Sequence, residues 1–167
     1  NCDPGVNVSD NKWHMITLTK RKQTGTPDKG VFNVYFDSAN CLTNQEIPDN
    51  AGAVSNLNKI YIGRDVAHAP DNAHQFEGIM DNLTFWNTEI SSTEIEQLYN
   101  QGRPINPLIN VHNYKSANYV TNHYNMNNED SDHPEIIYDS GPYQENGYAY
   151  YSGADSAENK STFFDYA

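Results

Sequence analysis

Basic residues are scarce in this chain. Ten Lys and Arg stand against 22 Asp and Glu among 167 residues, for a formal net charge of −12 and a pI near 4.6. Nucleic acid demands a basic face to meet its phosphates, so such a partner is argued against, as is an anionic membrane surface. Apolar residues are also few, at 37%, and no apolar run approaches the ~20 residues of a membrane span. Cysteine is limited to Cys2 and Cys41, which allow at most one disulfide, expected as Cys2–Cys41 in an oxidising compartment. A Glu-x-Asp-x-Glu triplet is missing too. On a strand that spacing would put alternate acids on one sugar-facing side, as retaining glycoside hydrolysis requires. The chain opens Asn1-Cys2-Asp3 without a Met, which leads us to expect a piece of something longer.

What is abundant is aromatic and amide. Twelve Tyr, six Phe and two Trp favour sheets over helical bundles. Asn recurs in runs such as NHYNMNNE at 122–129, where tyrosines and short apolar stretches argue for polar surface rather than disorder. Three glycosylation sequons, at Asn7, Asn82 and Asn159, are compatible with secretion.

Periodicity then places the elements. Trp13 to Arg21 alternates as a strand, TGTPDKG at 24–30 is a turn, and Val31 to Asp37 alternates again, which together predict an antiparallel hairpin. Ser38 to Asn58 reads as a polar loop, Lys59 to Gly63 as a short strand, and Phe76 to Trp86 as a further strand. Ser91-Ser92-Thr93-Glu94 spells a capping box. Ile95, Leu98 and Tyr99 follow at helical spacing, and Gly102 and Pro104 supply the stop. A helix of two to three turns needs docking to persist, so it is expected as a lid on a sheet. Asn146-Gly147 is a turn signal before a strand at Tyr148 to Tyr151. Many strands and one short helix near 92–100 predict an all-β, antiparallel sandwich of jelly-roll type.

The pieces DNKWHMITLT, VYFD, NKIYIGRD and FEGIMDNLTFWNTEISSTEIEQLYNQG occur in one order. That order resembles the C-terminal portion of a laminin-G-like domain, in the concanavalin A-like lectin/glucanase superfamily to which pentraxin-like patterns also belong. The matches include Trp13, His14, Phe76, Gly78, Asp81, Ser92, Glu94, Ile95, Leu98, Tyr99, Asn100 and Gly102. Residues 119–153, with Tyr138-Asp139-Ser140-Gly141 and Asn146-Gly147, resemble the opening of the same domain type. The resemblance therefore implies the end of one domain at 1–104, a connector at 105–118, and the start of a second similar domain at 119–167.

What it implies for function is recognition rather than catalysis: an adhesion module, glycan-binding, in an extracellular, cell-surface or virion-surface protein. The expected partners are glycans or surface proteins and neighbouring copies of the same domain type. The alternatives are a structural decoration that binds only protein neighbours, and a remnant of a glycoside hydrolase. Similarity to the pentraxin calcium loop implies a calcium ion held by Asp65, with Asp71 and Asn72 matched by loop position. Hard cations want several oxygens, which such a loop supplies. His14, His68 and His74 lack metal-like spacing and are read as surface or packing residues, as is Asp81 as a structural acid. Tyr148, Tyr150 and Tyr151 are read as strand packing in preference to a sugar platform.

Overall fold

The structure is a computed structural model of the whole chain, and it describes residues 10–22, 30–47, 62–63, 76, 78–126, 136–150 and 163–166. The chain divides into two compact units, one of residues 1–54 and 86–120, the other of residues 55–85 and 121–167. Sheets dominate the described residues, and their α-helical content is one short helix.

In the first unit, β1 (Ile16–Lys22), β2 (Gly30–Phe36) and β3 (Ala39–Ile47) form an antiparallel sheet in the order β1-β2-β3. Thr17, Thr19 and Arg21 lie opposite Tyr35, Asn33 and Val31, while Ile16 and Leu18 face Phe36 and Val34. Asn33 is buried at the centre of β2 and cross-links both neighbours. Its Nδ2 donates to Thr19 Oγ1 (3.2 Å), and its Oδ1 accepts from the Asn44 amide (2.7 Å). A buried amide so satisfied costs little.

β3 corrects the loop expected at 38–58. Asp37 and Ser38 both take positive φ, at 48° and 68°, and close a two-residue turn between paired Phe36 and Ala39. Two left-handed residues suit the right-handed twist of a hairpin, but the usual sequence signature is Asn-Gly or Asp-Gly. Asp-Ser gives no such signal.

α1 (Ser92–Tyr99) begins as expected. Ser91 is its N-cap, the Glu94 amide donates to Ser91 Oγ, and Glu94 Oε2 accepts from the Ser91 amide. It ends within the expected 92–100: Asn100 goes left-handed (φ 43°) and donates its amide to Glu96 O, and Gly102 also takes the left-handed conformation expected of it (φ 80°). Asn tolerates that conformation better than most residues. Ile95 and Leu98 bury the apolar face of α1 among Tyr35, Ile90, Tyr114 and Ala117, with Met15, Trp86 and Ile105 packed around them. Tyr114 is fully buried. Its hydroxyl donates to Pro107 O (2.7 Å) and accepts from Trp86 Nε1 (2.9 Å), and burial pushes the phenol pKa up.

In the second unit, β4 (Leu83–Trp86) pairs with β5 (Val120–Tyr124), and β6 (Ile136–Ile137), β7 (Gly147–Tyr150) and β8 (Phe163–Tyr166) form another sheet in that order. The strand expected over 76–86 is shorter than predicted. Asn82 adopts φ 56°, and Asp81 Oδ1 accepts from the Asn82 and Met126 amides, so the chain turns before extending. Asp81 is thus a structural acid. Of the strand expected at 59–63, only Ile62 and Gly63 are among the described residues. Tyr124 and Ile137 are the buried centre of this unit, with Phe85 edge-on to Tyr124 at 6.5 Å.

Candidate functional site

Among the described residues, three constellations gather hydrogen-bonded acids and histidines. The first lies where the chain enters β1. His14 is nearly enclosed, with Nδ1 2.7 Å from Asp37 Oδ2 and Nε2 3.0 Å from Asp10 Oδ1. Phe36 packs on the ring at 4.8 Å. Asp37 also accepts from the Met15 amide (2.9 Å) and returns its own amide to Met15 O (2.9 Å). Asp10 Oδ1 accepts from the Lys12 amide, and Oδ2 meets Lys12 Nζ at 3.1 Å. Both ring nitrogens face carboxylates, so the imidazolium is the form that satisfies the site. The bond to Asp37, then that to Asp10, raises the His14 pKa above its ordinary 6.5. The bond from His14, then that from Lys12, brings Asp10 down to about 2. Sequence reading gave His14 a surface or packing role and passed over Asp10 and Asp37. The Asp10–His14 spacing of four was the available hint, while Asp37 joins through the unread turn.

The second constellation centres on Asp139, buried in the second unit. Oδ1 accepts from the amides of His123 and Gly141, both at 2.7 Å. Oδ2 accepts from Asn122 Nδ2 (2.8 Å) and the Glu145 amide (3.0 Å). The Asp139 amide in turn donates to Asn146 Oδ1 (3.1 Å). Four donors occupy the carboxylate, which therefore ties β5 to the turn before β7. Gly141 is required here: a Cβ would meet Thr121 O at 2.7 Å, Asn122 Cα at 2.8 Å and Asp139 Oδ1 at 2.8 Å. The Asp-Ser-Gly and Asn-Gly signatures thus have one physical origin. Beside them His123 is buried, with Nδ1 2.9 Å from Thr84 Oγ1. Burial holds its pKa below the ordinary value, against the pull of Asp139 and Asp81.

The third is Glu94, whose second oxygen reaches beyond the helix cap. Oε1 accepts from Ser116 Oγ (2.6 Å) and the Lys115 amide (3.1 Å). Burial pushes this carboxyl up, but the bonds from Ser116, Ser91 and Lys115 outweigh it and hold the pKa below the usual range.

Large apolar side chains stand out of this polar surface. In the first unit Trp13, Ile16 and Leu18 are 62%, 73% and 67% exposed, and Tyr119 is exposed as well. In the second unit Phe76, Ile79 and Tyr143 are exposed.

Several expected site residues fall elsewhere. Asp65, Asp71 and Asn72 lie outside the described residues, although the Phe76 amide donates to Gly63 O (2.8 Å) at the base of that segment. Among the described residues no group of three or more His, Cys, Asp or Glu converges to hold a metal ion. Asn82 is exposed, whereas Asn7 and Asn159 lie outside the described residues. Cys41, on β3, is disulfide-bonded, and Cys2 lies outside the described residues. His68, His74 and Tyr151 also lie outside them.

No curated protein and no solved structure gives a match to the chain. A laminin G-type family model, described as the concanavalin A-like lectin/glucanases superfamily, matches residues 1–96, more than half of the 167. The match covers the β1-β2-β3 sheet, β4 and the start of α1, the same stretches whose hairpin and helix cap are seen in the fold. The chain belongs to the concanavalin A-like lectin/glucanases superfamily.

Proposed function

We propose that this chain is a non-enzymatic recognition module of a larger extracellular or virion-surface protein, and that its ligand is a glycan. The observation that carries the reading is the exposed ring of Trp13, held between two residues that Asp10 binds. An exposed indole offers a flat apolar surface for a sugar face, and neighbouring amides and carboxylates can meet hydroxyls. The non-enzymatic part is supported by how four of the described acids are used: Asp139 and Glu94 each accept four hydrogen bonds, and Asp10 and Asp37 are engaged with His14. A general acid needs a carboxyl free to give a proton to a sugar oxygen. The test is a glycan array probed with the full chain and with Trp13→Ala. Binding lost in the variant supports the reading; binding unchanged in the variant, or none in either, overturns it.

One observation favours the structural alternative. Ile16 and Leu18 expose branched apolar groups, which suit a protein neighbour better than a sugar. A neighbouring copy or another shell protein that covers them would be seen as loss of assembly in Leu18→Asp. The tandem organisation, with its connector at 105–118, is proposed from the order of the sequence resemblances alone, since Tyr114 and Ala117 of that stretch pack in the core of the first unit, and the mass of the native polypeptide decides it.

Calcium bound by Asp65, Asp71 and Asn72 is a further part of the proposal. The Phe76–Gly63 hydrogen bond, which draws the two ends of that segment together, supports it. A melting temperature unchanged by chelator would remove it.

A further inference from the structure

Asp10 binds the residue on each side of Trp13. It accepts the amide and the ammonium of Lys12 and faces Nε2 of His14. His14 is held in turn by Asp37, from the β2–β3 turn, and Asp37 is doubly tied to the Met15 backbone. Lys12, Trp13, His14 and Met15 therefore form a short strap that leads into β1, fastened at one point by the turn and at another by Asp10. The charged groups that face the ring are Asp37 from the turn and Asp10, with its partner Lys12, from the incoming segment. Phe36 of β2 covers the ring face and is uncharged.

We propose that Asp10, His14 and Asp37 form a pH-responsive clasp that fixes the strap bearing Trp13 and loosens it when the imidazolium loses a proton. The regulatory part rests on the reading of Trp13 as the recognition surface. The chemistry is simple. An imidazolium donates to both carboxylates, whereas a neutral ring has a single N–H and must turn a lone pair toward one of them. The shorter contact, to Asp37 at 2.7 Å, keeps the proton, and the Asp10 contact at 3.0 Å opens. Asp10 then holds only Lys12, and the link across Trp13 is lost. With both carboxylates ionised, the clasp is closed at pH 6.5 and opens as pH rises through the elevated value of His14.

The test uses the full chain labelled with 15N and titrated by NMR, followed through the ring nitrogens of His14, the Trp13 indole, and the amides of Lys12, Met15 and Asp37. A His14 midpoint above 6.5, with the Trp13 indole and the Lys12 amide moving on the same curve, supports the clasp. Asp10→Asn preserves an acceptor for Lys12, so folding is retained. In that variant the midpoint falls toward 6.5 and the Trp13 response shrinks. A midpoint at or below 6.5 in the wild type, or an indole that ignores the titration, overturns the clasp. A glycan array run at pH 6 and pH 9 separates the two readings. Weaker binding at pH 9 that Asp10→Asn abolishes supports both. No binding at either pH beside an intact titration overturns the glycan reading and leaves the clasp standing.

Discussion

Two histidines sit beside aspartates in the two units, and their fates are opposite. His14 lies at the sheet edge with a carboxylate on each ring nitrogen, and its charged form is favoured. His123 is buried beside Asp139, yet the Asp139 oxygens are filled by the His123 amide, Gly141, Glu145 and Asn122, and the ring itself meets Thr84. A carboxylate neighbour raises a histidine pKa when it can offer a lone pair to the ring. Once its lone pairs are spent and the ring is desolvated, burial wins. Proximity of Asp and His therefore says little until the hydrogen bonds of the carboxylate are counted.

The largest expected effect breaks the second unit. Asp139→Ala leaves three backbone amides and the Asn122 amide without their acceptor, at a cost of about 3 kcal/mol or more, seen as a shifted denaturation midpoint. Gly141→Ala forces a methyl against backbone atoms of Thr121 and Asn122 and should cost about 2 kcal/mol by the same measurement. In the first unit Ser91→Ala removes one half of the cap, for about 1 kcal/mol, because Glu94 keeps its bonds to Ser116 and Lys115. Smallest is the effect of pH, and here the signs differ. The contribution of His14 is full below 6.5 and is lost as pH rises through its elevated folded value; that of His123 is present above 6.5 and is lost as pH falls through its lowered one. His14→Gln should flatten the alkaline limb of stability and also weaken the acid limb below about pH 4, where Asp10 loses the partner that brings its pKa down to about 2, while the His123 contribution is unchanged.

Local signals were legible in the sequence and distant ones were not. The capping box could be read because Ser91 and Glu94 are three residues apart; Asn146-Gly147, read as a tight turn, instead leads straight into β7, with Gly147 paired to Ile137 and Asn146 accepting from the Asp139 amide. The second half of the role of Glu94 depends on Ser116, 22 residues away, which no local pattern encodes. β3 was not legible because Asp37-Ser38 lacks the glycine that marks a tight hairpin and because Asn40 and Asn44 are poor strand formers. The Asp139 motif was legible as a resemblance, but its physical cause, a buried carboxylate that collects four donors, needed the fold. His14 was legible as a residue and not as a site, since its second partner arrives on the turn that was missed.

The contrast between the two units is tested most directly by native-state hydrogen exchange of the wild-type chain at pH 5.5 and pH 8, corrected for intrinsic rates. The amides to follow are Met15 and Asp37 in the first unit and His123 and Gly141 in the second, each of which donates a hydrogen bond within its cluster. The predicted result is opposite movement: Met15 and Asp37 better protected at pH 5.5, His123 and Gly141 better protected at pH 8. Protection that shifts in the same direction in both units, or in neither, would contradict it.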